Sequence, residues 1–123
     1  MGSKKYDDGT REVTIQFEHD DTTGRLSGWV RCMGKYFIVE GSWVAAGSVP
    51  GRAHSICALM GSDQQAAPVL IAMTGTIDGS GSYPSEIQMN MIHVSSRNDQ
   101  QRPWSGVLRP FPPGELPADA PAA

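Results

Sequence analysis

Val13-Thr14-Ile15-Gln16-Phe17-Glu18 alternates apolar and polar side chains at every step. Successive side chains of a strand point to opposite faces, so this period of two predicts a half-buried β-strand over roughly residues 11–19. Asp20-Asp21-Thr22-Thr23-Gly24 then supplies turn formers. Further strands follow at about 25–33, 35–45, 52–60, 69–77, 85–95 and 104–111. Met33-Gly34 reads as a tight hairpin, and Gly/Ser/Pro-rich or polar stretches separate the remaining strands.

Helical signals are almost absent, because no long window free of Gly and Pro carries apolar residues at i, i+3 and i+4. The connections are too short for the crossovers that parallel pairing requires. The chain is therefore expected to be all-β, an antiparallel up-and-down meander. Gly28, Gly41, Gly75 and Gly106 fall inside strands and suggest bends or bulges of a sheet curling on itself. A closed or nearly closed β-barrel is the expectation, with a two-sheet β-sandwich as the alternative. The arrangement resembles lipocalin- and avidin-like meanders in general architecture alone. No motif of either family is present, so no function follows from that likeness.

The 123 residues suit one domain. Residues 1–10 read as a disordered or tag-like N-terminus, 11–111 as the barrel, and 112–123 as a Pro/Ala-rich unstructured tail. Lys+Arg is 10 and Asp+Glu 13, for a net charge of -3. This balance excludes a strongly basic nucleic-acid binder, and no apolar run approaches the ~18 residues of a membrane helix. Only 19% of residues are charged, and just Glu40, Arg52 and Asp63 carry charge between Tyr36 and Ile77. A small domain normally covers its large surface with charge, so this segment is expected to be covered by something else. The start has no secretory core, and Cys32 and Cys57 read as free buried thiols. A cytoplasmic location is the expectation.

Parity assigns the faces. Leu26, Val30 and Cys32 share one side of their strand, as do Ile87, Met89, Met91 and His93 of theirs. Trp29, Met33, Tyr36 and Ile38 are left on the outer side as an apolar patch, expected to form a homo-oligomer interface. An extra layer from the same chain is the competing reading.

His54 and His93 are the candidate acid/base residues, with Glu40 and Asp78 as the nearest strand carboxylates. His54-Ser55-Ile56-Cys57 does not make a metal pair, because residues three apart on a strand face opposite ways. No zinc-like spacing, nucleophile elbow or phosphate-binding loop occurs, so no metal and no cofactor is expected. Trp43, Met89, Met91, His93 and Trp104 would line a pliable apolar pocket. The expected function is non-catalytic binding of a small, mostly apolar or aromatic molecule in a homo-oligomeric barrel. An oligomeric interaction module without a ligand, and a small His-based barrel enzyme, are the alternatives; neither nucleic acid nor membrane is an expected partner.

Overall fold

The computed structural model describes residues 4–10, 12–20, 22–45, 54–78 and 86–110, without the side chains of Lys4 and Asp78. Among them are eight strands: β1 (Lys4–Asp7), β2 (Val13–Asp20), β3 (Arg25–Cys32), β4 (Lys35–Val44), β5 (Ser55–Ser62), β6 (Val69–Asp78), β7 (Glu86–Ser95) and β8 (Gln101–Pro110). Each pairs antiparallel with the next, and β8 returns to β1. The protein is an up-and-down closed barrel, and the sandwich alternative is excluded.

Two strands differ most from the expected boundaries, and β5 also lies later than expected, at Ser55–Ser62. Lys4–Asp7, read as part of an irregular N-terminus, forms β1. Tyr6 explains it: its side chain is 2% exposed in the core, opposite Ile15 on one side and Pro110 on the other. β8 begins at Gln101, inside a stretch expected to be loop, because Arg102 and Pro103 pair with His93 and Ile92. The tail expected at 112–123 and the connections at 46–53 and 79–85 lie outside the described residues.

The alternation that defines β2 carries through. Val13, Ile15 and Phe17 are buried with Leu26, Val30, Phe37, Val39, Leu59, Ile71, Met73, Ile87, Met89 and Leu108 in one core. Burying each large apolar side chain contributes about 1.5–3 kcal/mol relative to leaving it exposed. The middle of the barrel is thus filled by the chain's own side chains.

No bulge occurs at the strand glycines, since the residue-for-residue register runs unbroken through Gly28, Gly41, Gly75 and Gly106. Some instead allow close strand approach. A Cβ at Gly41 would lie 1.8 Å from the Ala58 carbonyl oxygen, and one at Gly28 equally near that of Gln16. At Gly106 the missing side chain makes room for the Trp104 indole, 2.6 Å from where a Cβ would sit.

The strands tilt, as closure demands. One cross-strand row therefore starts at His19 near one rim and passes through Leu26, Gly41, Leu59, Met73 and Met91 to Trp104 near the other.

Gly41→Ala is expected to cost about 1–3 kcal/mol of stability, because an atom is forced into backbone that cannot step aside. The exposed neighbour change Ser42→Ala should stay within about 0.5 kcal/mol. Urea unfolding of the two variants checks the contrast.

Candidate functional site

The β1–β8 seam is short. Only Tyr6 with Pro110 and Asp7 with Arg109 pair across it. The first part of β8 has no strand partner on that side among the described residues. Proline lacks an N–H, and Pro103 sits in this unpaired stretch, where its β1-facing edge needs no donor. Next to it the wall opens into a recess of about 470 Å³. Its lining includes Val13, Cys32, Met33, His93, Pro103 and Trp104. Glu12, Arg31 and Arg102 bring charge to the same recess.

Two chemical groups meet in this lining across 61 positions of sequence. Cys32 Sγ lies 3.1 Å from His93 Nε2, and His93 Nδ1 lies 3.4 Å from the Arg102 carbonyl oxygen. A carbonyl only accepts, so Nδ1 carries the ring proton and Nε2 accepts the Cys32 S–H. Burial holds His93 below its usual pKa of 6.5, partly opposed by the Arg102 carbonyl. Burial pushes the Cys32 thiol up to about 12. The resting pair is therefore neutral thiol and neutral imidazole. The Phe37 ring packs on His93 with centroids 5.5 Å apart. Nearby, buried Asp63 accepts the backbone N–H groups of Gln65 and Val69 and pairs with Lys35 at 3.4 Å. Burial raises its pKa, but these donors outweigh that and hold it below 3.8. This carboxylate anchors the β5–β6 connection.

The structure separates the expected pocket residues. His93 and Trp104 line the recess. Met91 is buried beside them in register with Trp104, and Met89 is 1% exposed in the filled middle. Trp43 belongs to the opposite rim, where its ring meets His19 edge-on at 5.3 Å and its backbone N–H donates to Gly24. The Trp43 indole N–H is buried and has no hydrogen-bond acceptor among the described residues. His54 is exposed just before β5, at the end of that strand away from His93. Cys32, the partner of His93, escaped the sequence reading because only the β3-to-β7 closure brings the two together.

The outer face also departs from expectation. Trp29, expected to be exposed at an interface, is 8% exposed, with Tyr36 edge-on at 5.4 Å. Tyr36 is half-buried. Thr14, also pointing outward, is buried and donates to Asp7 at 2.9 Å. Met33 and Ile38 are exposed as expected, and further exposed apolar residues lie farther round: Val44 on β4, Met60 on β5 and Leu70 on β6. Met33, 50% exposed, sits in the β3–β4 turn with a positive φ of 52°.

Comparison of the chain with protein-family models, curated proteins and solved structures finds no match. Among the described residues no helix is long and apolar enough to cross a membrane.

His93 makes stability depend on pH. Its folded pKa is lowered, so below about pH 6.5 the unfolded chain takes up the proton more readily than the folded one. Stability should be full above pH 6.5 and fall as pH drops from there through the folded-state pKa. His93→Gln should flatten that slope in denaturant titrations between pH 7.5 and 5.

Proposed function

We propose that this protein is a non-catalytic binding module that takes a small, mostly apolar or aromatic molecule at the open end of its barrel. The observation that carries this reading is the recess of about 470 Å³ containing Trp104, Cys32 and His93. Its size falls in the range of small-molecule sites, and it combines an aromatic surface with a few polar groups. The filled middle directs the reading to the rim rather than to a central cavity.

Binding is preferred to catalysis for a chemical reason. Both ring nitrogens of His93 are engaged, and a thiol with a pKa near 12 is a poor nucleophile at neutral pH. We place the protein in the cytoplasm, a reading supported by Cys32 and Cys57 both being thiols. The apolar interior and the polar outward positions at Glu18, Ser27 and Asn90 reverse the pattern of a membrane barrel with a water-filled lumen.

The test is native mass spectrometry and thermal shift with a panel of mono- and bicyclic aromatic molecules. A one-to-one adduct that raises the melting temperature is expected, and Trp104→Ala should weaken it at least about tenfold, as losing an aromatic anchor costs more than ~1.4 kcal/mol. Absence of any adduct, or an adduct indifferent to Trp104→Ala, contradicts the reading.

Self-association is the second part of the proposal. It is favoured by the outward face of β4 to β6, where Ile38, Met60 and Leu70 are exposed beside Ala58 and Ala72. Exposed apolar residues on adjacent strands are the usual mark of a contact surface. Met60→Lys with Leu70→Lys should shift light scattering from dimer or higher oligomer to monomer while leaving the fold intact; a wild-type monomer at high concentration would end this part of the proposal.

A further inference from the structure

We propose that the molecule taken by the recess is an aromatic monocarboxylate, with its ring against Trp104 and its carboxylate held by Arg102. This inference rests on the binding reading above and adds the charge of the ligand to it.

The polar groups of the recess differ in what they have left to give. Cys32 donates to His93, and the far nitrogen of His93 donates to the Arg102 carbonyl. Both side chains are buried and neutral, so neither offers a ligand a charge or a spare donor. Arg102 is different. It is exposed and lines the recess, and its guanidinium has no ion-pair partner among the described residues. Its register opposite His93 puts it on the inner face of β8, and Trp104, opposite Met91, follows two residues later on that face. Their Cα atoms are therefore about 7 Å apart along the strand. The long arginine side chain spans that separation to a carboxylate borne by a ring at Trp104.

Charge sets the sign of the ligand. Arg31 and Arg102 bring two positive charges to the lining and Glu12 one negative. Arg31 shares the outer face with Thr14 and Tyr36, its partners in register, so it adds field rather than contact. The single net positive charge matches a monoanion. A guanidinium presents two parallel N–H groups to a carboxylate and also stacks on aromatic rings, so it suits both parts of an aromatic acid. An amine would meet Arg102 with like charge.

The experiment is isothermal titration calorimetry of the full chain with naphthoate, its neutral amide naphthamide, and naphthylmethylamine. Wild type should bind naphthoate about fivefold or more tighter than the amide, a modest factor because solvent screens an exposed guanidinium, and the amine most weakly. Arg102→Gln should bring the naphthoate-to-amide ratio to about one. Arg97→Gln removes the same charge from an exposed site outside the recess lining and should keep the ratio. Glu12→Gln should raise it. Equal binding of amide and naphthoate, a preference for the amine, or a preference that survives Arg102→Gln overturns this inference and leaves the aromatic-binding reading standing. Binding of none of the three overturns both.

Discussion

The short seam between β8 and β1 is the constraint on which the rest of the barrel depends. Without it the meander is an open sheet with two bare edges, and its inner side chains have nothing opposite them. Pairing at Tyr6 with Pro110 and Asp7 with Arg109 closes the cylinder. Tyr6 then fills space inside, while Asp7 accepts from Thr14 and from the Gly9 backbone outside. The same seam stops short of the rim. The first part of β8 and the β3–β4 turn line the recess together, where no strand among the described residues pairs with β8 on its β1 side.

Closure also explains the placement of polar groups. A small closed barrel leaves little room for water inside, so a polar group in the core must be paired with another. His93 meets this requirement by accepting from Cys32 and donating to Arg102. The pair is buried at the wall of the recess beside the rim. The low charge noted between Tyr36 and Ile77 has a corresponding location. Its inward residues build the core, and its outward ones include the exposed Ile38, Met60 and Leu70.

Much of this was legible in the sequence, and what was not has identifiable causes. Val13 to Glu18 declares its faces because alternation is a local property. The inward sets Leu26, Val30, Cys32 and Ile87, Met89, Met91, His93 follow from the same parity and are buried as such. β1 was hidden because a four-residue strand with one buried apolar side chain, Tyr6, shows no periodicity. Trp29 was misplaced because parity tells only which way a residue points and not what lies over it. The separation of Trp43 from Trp104 depends on strand tilt, which brings cross-strand neighbours to different heights. Cys32 and His93 meet through closure, and no spacing rule spans 61 residues.

Whether the gap left by the seam takes the proposed small molecule can be read by amide chemical-shift mapping by NMR during titration with a bicyclic aromatic probe. Saturable shifts confined to Cys32, Met33, His93 and the β8 stretch around Trp104 are expected, with Met89 and Trp43 unmoved. Shifts concentrated on the outward positions of β4 to β6, or around Trp43 at the opposite rim, would contradict that proposal.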